Sequence, residues 1–292
     1  MGYCSDTRPK LVVLESASVE SRPHRLKLVV WGQFRMMNLK ECYEGVKALD
    51  PDLDIESFEI VEEVSRIRQY WRPETVRVVL LAESHVYTRP EDFVHSWQIP
   101  NAIHHGKFVR FVYCLGYGES SLVPSVPRNP GTWQFWKIFF SCIHRVARNE
   151  DFRPILRWTP TEKRISNKIS LLTDLKQAGV WLMDASIVGV NRLKSLTLRR
   201  QILQQCWNYT YSTIQELNPK PDYIIIIGCF VKSALKKEID SLGIKYISLP
   251  QPQARLPAPG YRQFDEVYYR ICSKSGAAIN VEQMERSLGC KD

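Results

Sequence analysis

The polar elbow formed by Glu83, Ser84 and His85 brings together a carboxylate, a hydroxyl and an imidazole, the side chains that enzymes use as acids, bases and nucleophiles. It follows the aliphatic residues 78–81. A short apolar run bounded by polar residues is typical of a buried strand in a parallel sheet. Ligands bind beyond the carboxyl ends of such strands, so the elbow is a candidate site. The alternative is an ordinary strand end with a hydrated loop.

Two more polar elbows follow apolar runs further along the chain. One is Asp184 with Ala185, and the other is Pro250 with Gln251. Because the carboxyl ends of parallel strands lie at one edge of a sheet, the three elbows can converge on one pocket. That convergence is more specific than any single elbow.

The alternation of apolar runs and helical patterns predicts the elements that position these elbows. The runs typical of strands are residues 76–82, 108–115, 180–183, 223–227 and 246–249. Helical spacing covers residues 38–49, 56–70, 133–148, 160–178, 194–211, 230–242 and 261–274. Thr159, Pro160 and Glu162 favour the start of the fourth helix, and Gly179 favours its end. This order predicts a three-layer α/β/α fold around a central, mostly parallel sheet.

The first quarter of the chain is predicted to be separate. Residues 1–75 contain short strands at residues 11–14 and 26–31 and the first two helices, with no catalytic pattern. They are interpreted as an N-terminal extension or a small accessory module. Residues 76–292 form the predicted main domain.

The composition points to an anionic partner. The chain has 40 Lys and Arg against 31 Asp and Glu, a formal net charge of +9, which favours nucleic acid first. A solvated basic surface with no partner is the alternative. No stretch approaches the roughly 20 apolar residues that cross a bilayer, so we expect no membrane partner and a cytoplasmic location. We also expect the protein to be a monomer. The 8 cysteines include no Cys-x-x-Cys pair, and we expect neither metal nor cofactor.

The order of these segments resembles the uracil-DNA glycosylase superfamily. In that family a strand ends in a Gly-Gln-Asp-Pro-Tyr-type or Gly-Glu-Ala-Pro-type motif, and a Pro-rich turn, a Leu-Leu-Asn strand end, a Leu-Gly strand end and a His-Pro-Ser-Pro loop follow. The corresponding segments are residues 82–86, 123–132, 182–185, 226–228 and 249–252. No motif is intact, so order and spacing over residues 76–275 carry the resemblance. It implies a uracil-DNA glycosylase-like domain with a four-stranded sheet.

The resemblance implies catalytic roles for the first and third elbows. The family's acid that positions the attacking water corresponds to Ser84, and the adjacent Glu83 is the expected carboxylate that orients water or stabilises the cationic sugar. A Glu83 that pairs with a structural arginine is the alternative. The family's His that stabilises the departing base corresponds to Leu249. Either His85 or Gln251 stands in for it, or the enzyme works slowly, or the protein is not an enzyme.

The resemblance also implies which residues recognise the base. The family's Tyr that excludes thymine corresponds to Val86, which leaves room for a substituent at C5. The family's Asn that reads uracil corresponds to Asp184, and a carboxylate only accepts hydrogen bonds, which suits the amine of cytosine. A turn-capping Asp is the alternative. The aromatic residue that stacks on the base is expected among Phe111, Tyr113 and Tyr117.

Further residues are expected to contact DNA. The Pro-rich turn suits a stiff loop that compresses the DNA backbone, with a simple rigid turn as the alternative. Basic side chains add phosphate affinity that does not depend on base sequence. The expected DNA-binding residues are Pro127, Pro130, Gly131, Arg199, Arg200, Lys232, Gln253 and Arg255.

Together these residues predict a monofunctional DNA glycosylase that needs no metal. It would flip a base out of double-stranded DNA and hydrolyse its N-glycosidic bond, leaving an abasic site. The expected base is a 5-substituted cytosine, such as the glucosylated hydroxymethylcytosine of phage DNA, which would suit antiviral defence. The alternatives are a repair glycosylase for uracil or another deaminated base and a non-catalytic nucleic-acid-binding relative, which Leu249 favours.

Overall fold

The computed structural model describes residues 37–99, 105–156, 160–251 and 258–273. The strands are β1 (Val78–Ala82), β2 (Ser96–Gln98), β3 (His105–Lys107), β4 (Val180–Asp184), β5 (Tyr223–Ile227) and β6 (Lys245–Leu249). The helices are α1 (Leu39–Lys47), α2 (Phe58–Tyr70), α3 (Pro90–Phe93), α4 (Trp133–Ile143), α5 (Arg153–Leu156), α6 (Thr161–Ala178), α7 (Leu196–Gln215), α8 (Cys229–Asp240) and α9 (Ala258–Cys272). The strands predicted at residues 11–14 and 26–31, and the predicted cap Thr159, lie outside the described residues.

Four strands form one sheet in the order β4, β1, β5, β6, and every pairing is parallel. The register places Leu80 beside Leu182 in β4 and beside Ile225 in β5. All residues of β1 and β4 are buried, as expected for strands covered by helices. The structure therefore confirms an α/β fold with an all-parallel, four-stranded sheet flanked by helices. A separate antiparallel ribbon pairs β2 with β3.

The strand order brings the predicted elbows to one edge of the sheet. Because β1 lies between β4 and β5, the elbow after β1 adjoins the ends of both neighbours. Ala82 at the end of β1 pairs with Asp184 at the end of β4. The amide of Gly228 donates to the carbonyl of Leu249 at 2.7 Å and joins the ends of β5 and β6.

The strand predicted at residues 108–115 is wrong, because this segment is a series of tight turns. The amide of Cys114 donates to the carbonyl of Phe111 at 2.9 Å, and the amide of Tyr117 donates to the carbonyl of Cys114 at 2.9 Å. The apolar side chains are nevertheless buried in the core. Apolar content reports burial rather than backbone conformation, which is why the segment resembled a strand.

The predicted helices are confirmed, with ends that differ by a few residues. The helix predicted at residues 133–148 ends at Ile143. Pro160, predicted as the first helical residue, precedes α6 at the N-cap position and makes no side-chain cap. Gly179 ends this helix with a φ of 75°, as predicted from the glycine's tolerance of the left-handed region.

The described residues from 37 onward form one compact unit that holds α1 and α2 together with the sheet. Helix α2 packs Ile60, Val64 and Ile67 into the same core as β1. Helix α1 packs with α7 and with the loop at residues 187–190 in a second, smaller core. Residues 37–75 therefore help to position the loops after β1 and β4.

A close crossing holds the Pro-rich turn against the turn at residues 116–118. Gly131 has a φ of 69° and Gly118 a φ of 88°, and a Cβ on Gly131 would lie 2.8 Å from the Cα of Gly118. The side chain of Asn129 accepts a hydrogen bond from the amide of Gly118 at 2.7 Å and donates to the carbonyl of Gly116 at 2.8 Å. The Pro-rich turn is therefore fixed at its carboxyl end, just before α4.

The variant Gly131→Ala is expected to lower the free energy of unfolding by about 1–3 kcal/mol, because the new Cβ would meet backbone atoms. Gly243→Ala is the matched control, since Gly243 has a similar φ of 66° but a Cβ there would meet nothing within 4 Å. Urea unfolding of both variants measures the difference. Equal losses would show that positive φ alone, and not the crossing, sets the cost.

Candidate active-site cleft

A cleft of about 370 Å³ opens at the carboxyl ends of β1 and β5. Its volume is within the range of roughly 300–1,000 Å³ that is usual for ligand pockets. Residues 83–86 of the first elbow and Gln251 of the third elbow both line it. The second elbow, Asp184 with Ala185, is not among the lining residues, so two of the three predicted elbows meet in this cleft. Thr132 and Phe135 at the start of α4, and Arg199 from α7, complete much of the wall.

Glu83 is held at the wall of this cleft by two side-chain donors. Arg199 donates to Oε1 from Nε, at 2.9 Å, and also from Nη2. Gln251 donates from Nε2 to Oε2 at 3.3 Å. The carbonyl of Glu83 accepts from the amide of Ser186 at 2.9 Å, which ties the elbow to the loop after β4. The carboxylate is thus oriented and ion-paired, which fits both the catalytic prediction and the structural alternative.

The neighbours of Glu83 have different environments. The hydroxyl of Ser84 accepts a hydrogen bond from the amide of Val190 at 3.2 Å, so it stabilises the loop after β4. Val86 is half-buried and lines the cleft, and its place beside a base stays a prediction. Its amide donates to the carbonyl of Arg110 at 3.1 Å.

His85 lies between two buried carboxylates. Its Nε2 is 3.1 Å from Oε1 of Glu56, and its Nδ1 is 3.6 Å from Oδ2 of Asp184. Burial alone would lower the pKa of His85, but the two carboxylates outweigh burial and raise this pKa to about 9. At neutral pH the raised pKa favours the imidazolium form of the ring. Both N–H groups face carboxylates, so His85 is not placed to donate to a ligand in the cleft.

Asp184 faces the protein interior and is not among the residues that line the cleft. Arg68 on α2 donates from Nη2 to Oδ2 of Asp184 at 2.5 Å, and its guanidinium lies 5.0 Å from the ring centroid of Phe111. Burial raises the pKa of Asp184, but Arg68 and His85 act against burial and bring the pKa below its ordinary value. The predicted contact with a base would need this side chain to leave Arg68.

Glu56, in the segment before α2, is a central residue that the sequence did not reveal. Besides its contact with His85, Oε1 accepts from the amide of Thr88 at 2.7 Å, and Oε2 accepts from the amide of Gly189 at 2.6 Å. The hydroxyl of Tyr43 donates to the carbonyl of Glu56 at 2.8 Å. One carboxylate therefore joins the loop after β1 to the loop after β4. No local pattern around residue 56 indicates this role.

Phe135 is an aromatic residue in the cleft that was not predicted there. The three predicted candidates, Phe111, Tyr113 and Tyr117, are at most 3% exposed and are not among the lining residues. The hydroxyl of Tyr113 accepts a hydrogen bond from the amide of Leu182 at 2.9 Å, which is a structural role. Phe135 belongs to the helix predicted at residues 133–148, for which the sequence predicted no contact with a ligand.

Arg199 and Arg200 lie beside one aromatic ring on α8. Their guanidinium carbons are 5.1 and 5.7 Å from the ring centroid of Phe230. Arg200 also donates to the carbonyl of Ser233 at 2.7 Å. Lys232 is half-buried on the same helix as Phe230. Contacts of these cations with phosphate stay a prediction.

The remaining predicted residues divide by position. Pro127 and Pro130 are exposed on the turn that the Gly131 crossing fixes, which fits a stiff loop. Gln253 and Arg255 lie outside the described residues. Leu249, at the position of the family's His, is fully buried in the core. The third elbow therefore reaches the cleft through Gln251.

Comparison of the chain with protein-family models, with curated proteins and with solved structures gives no significant match. The resemblance to the uracil-DNA glycosylase superfamily therefore stays a prediction. In the part of the chain that the structure describes, no helix has the length and apolar character needed to span a bilayer.

Proposed function

We propose that the protein is a DNA glycosylase that hydrolyses the N-glycosidic bond of a base flipped into the cleft. The observation that carries this proposal is the placement of Glu83, a carboxylate fixed by Arg199 and Gln251 at the wall of the cleft. Phe135 lies in the same cleft and offers a flat apolar surface for a base. A fixed carboxylate, nearby donors and an aromatic surface are the parts that excision of a flipped base requires. The finer fold that accompanies the proposal is a uracil-DNA glycosylase-like arrangement of the sheet and its loops over residues 76–275.

In the proposed reaction, the bond between the sugar C1′ and the base nitrogen lengthens first. Positive charge develops on the sugar and negative charge develops on the base. Glu83 stabilises the sugar cation electrostatically and orients the water whose oxygen bonds to C1′. The electron pair of the broken bond leaves with the base, and the proton from water neutralises it. Arg199 and Gln251 are cleft donors that can hydrogen-bond the departing base.

The substrate that we propose is a 5-substituted cytosine, such as the glucosylated hydroxymethylcytosine of phage DNA. Val86 supports it, because a valine leaves more room beside C5 than an aromatic side chain does. Such an activity would suit antiviral defence, since ordinary cytosine would be spared. Asp184 pairs with Arg68 and does not line the cleft, so it can recognise the amine of cytosine only if its carboxylate leaves Arg68.

A repair glycosylase for uracil or another deaminated base is the second candidate. The side-chain amides that line the cleft favour it: those of Gln134, Asn191 and Gln251. An amide donates to a carbonyl as readily as it accepts from an amine, so these residues suit the C4 carbonyl of uracil as well as cytosine. Because Asp184 pairs with Arg68 and does not line the cleft, its carboxylate does not repel that carbonyl.

An excision assay on matched duplexes tests the proposal. Each duplex carries one uracil, cytosine, hydroxymethylcytosine or glucosylated hydroxymethylcytosine, and alkaline strand cleavage reports the abasic site. We expect an abasic product from a 5-substituted cytosine and none from cytosine. Release of uracil alone would overturn the proposal of a 5-substituted cytosine and support the repair glycosylase. Binding to every duplex without any abasic product would overturn the enzyme and leave a nucleic-acid-binding protein.

A further inference from the structure

We propose that His85 is a fixed cation that stabilises the negative charge developing on a ligand in the cleft, and that Glu56 is the positioning residue that holds it there. The role in catalysis rests on the proposed function. The charge state and its dependence on Glu56 concern this chain alone and can be measured separately.

The placement of the ring favours hydrogen on both of its nitrogens, with a hydrogen-bond contact at Nε2 and a longer electrostatic contact at Nδ1. A neutral imidazole has one N–H donor and one acceptor lone pair. With Glu56 at 3.1 Å from Nε2 and Asp184 at 3.6 Å from Nδ1, either neutral tautomer would turn a lone pair towards a carboxylate. The doubly protonated ring turns a donor towards each carboxylate and carries the charge that balances one of them.

Four charged side chains form a buried cluster, and the protonated His85 is the member whose residue borders the cleft. Arg68 and the protonated His85 balance Glu56 and Asp184, so the four side chains are neutral as a group. His85 is a lining residue of the cleft, whereas neither carboxylate is. The side chain of His85 is fully buried, so the ring lies behind the part of the cleft wall that the main chain of His85 forms. Burial in a medium of low polarity strengthens the field of this charge across that wall. An anion that forms in the cleft is therefore stabilised.

Glu56 fixes the position of the ring because its carboxylate has no freedom to move. Its side chain is fully buried, and the amides of Thr88 and Gly189 hold one oxygen each. The edge of the Phe111 ring approaches His85, with 6.2 Å between centroids, and limits rotation from the other side. His85 is thereby set against the cleft wall before any ligand arrives.

The ionisable groups around His85 come from several elements. Glu56 precedes α2, Asp184 ends β4, and Arg68 of α2 reaches the ring through Asp184. Glu83 and Arg199 share the cleft with it. The pKa of His85 is raised to about 9 from an ordinary 6.5, so the stabilisation from its charge is complete below about 6.5 and is lost as pH rises through about 9.

Nitrogen NMR of the full chain labelled at histidine tests the charge state. In the wild type, His85 is expected to show two protonated ring nitrogens from about pH 6 to about pH 8, a range in which ordinary histidines lose their charge. Glu56→Gln is expected to lower the pKa of His85 by at least about one unit, because only the carboxylate of Asp184 then opposes the effect of burial on that pKa. A neutral His85 at pH 7 in the wild type, or an unchanged titration in the variant, would overturn the proposal.

Two further variants keep this test decisive. Glu59→Gln is the matched control, because Glu59 is an exposed carboxylate on the first turn of α2, and the titration of His85 should not change. If Glu56→Gln does not fold, Asp184→Asn removes the other carboxylate and should lower the same pKa. A titration that responds to neither carboxylate would overturn the proposal.

The catalytic role is tested on a duplex that the wild type cleaves. Glu56→Gln should lower kcat at pH 7 by about tenfold to a hundredfold with little change in KM, and its activity should fall at a lower pH than that of the wild type. Equal pH profiles for the two proteins would overturn the catalytic role while leaving the glycosylase in place. If no duplex is cleaved, the proposed function fails and the catalytic role fails with it. The NMR result still decides the charge state of His85.

Discussion

Glu83→Gln is expected to lower the rate of base excision by about 10²–10⁴-fold while DNA binding stays close to that of the wild type. Glutamine keeps the size of the side chain and one acceptor oxygen for Arg199. It carries no negative charge, so it can neither stabilise the cationic sugar nor orient water as a carboxylate does. Single-turnover excision measures the chemical step, and fluorescence anisotropy with a labelled duplex measures binding.

The control for this variant is Glu74→Gln, at an exposed carboxylate in the turn before β1. It should excise at the wild-type rate, because it removes the same charge at a distance from the cleft. A Glu83→Gln variant that also excises at the wild-type rate would contradict the catalytic assignment. It would favour the alternative in which Glu83 only pairs with Arg199.

A double-mutant cycle with Arg199→Met isolates that structural alternative. The side chains of Glu83 and Arg199 are 10% and 22% exposed, and ion pairs near the surface contribute about 0–1 kcal/mol to stability. If Arg199→Met excises at the wild-type rate and the coupling energy in urea unfolding lies in this range, the ion pair is only structural. If Arg199→Met loses excision while the coupling energy stays in the same range, Glu83 is a catalytic carboxylate that Arg199 orients.

The sheet was predictable because its strands are continuous apolar runs with polar ends. In β5, four consecutive isoleucines between Tyr223 and Gly228 fit a strand buried on both faces. The parallel order then follows from the helices between the strands. The wrong strand prediction at residues 108–115 has the same origin as the correct ones, since the apolar content of that segment indicated its burial correctly. Backbone hydrogen bonds within turns, which no apolar pattern reveals, decided the conformation.

The site was predictable only in part, because strand ends give position but not side-chain direction. The sequence placed Glu83, Val86 and Gln251 at one edge of the sheet, and all three line the cleft. It also placed Asp184 there, but the charge of Arg68 turns that carboxylate inward. The partners that decide such directions come from segments far away along the chain.

Charged residues on the apolar face of a helix were the available signal for these distant partners. Arg68 follows Ile60, Val64 and Ile67 on the buried face of α2, where an unpaired charge would be costly. Lys168 occupies the corresponding position between Ile165 and the leucines of α6. Each such residue requires an opposite charge from elsewhere. For Arg68 this is Asp184, and for Lys168 it is Glu119.

Glu119 joins the loop before the Pro-rich turn to α6 through a buried cluster of charges. Its carboxylate is fully buried and accepts from Lys168 Nζ at 2.5 Å and from Arg164 Nε at 2.9 Å. Lys168 is 1% exposed, and its ammonium lies 4.7 Å from the ring centroid of Trp136. Burial raises the pKa of Glu119, but Arg164 and Lys168 outweigh burial and lower it. Its stabilising effect is complete above about pH 4.3 and is lost as pH falls through the lower folded pKa.

Glu119→Leu is therefore expected to lower the free energy of unfolding by about 3–5 kcal/mol at pH 7, because it leaves Lys168 as a buried charge without its partner. Arg164 can turn to solvent, since 15% of its side chain is already exposed. The double variant Glu119→Leu/Lys168→Met removes both buried charges and should recover most of the loss. Urea unfolding of the single and double variants measures both effects.

The pH dependence of the single variant separates this explanation from a simple loss of packing. Burial already lowers the pKa of Lys168 against the opposing effect of Glu119, and removal of Glu119 lowers that pKa further. A buried cation with a lowered pKa costs stability below its folded pKa, and this cost shrinks as pH rises towards its ordinary value of about 10.4. The difference in unfolding free energy between wild type and Glu119→Leu should therefore narrow between about pH 7 and about pH 10. A constant difference would show that lost packing, rather than the unpaired charge of Lys168, destabilises the variant.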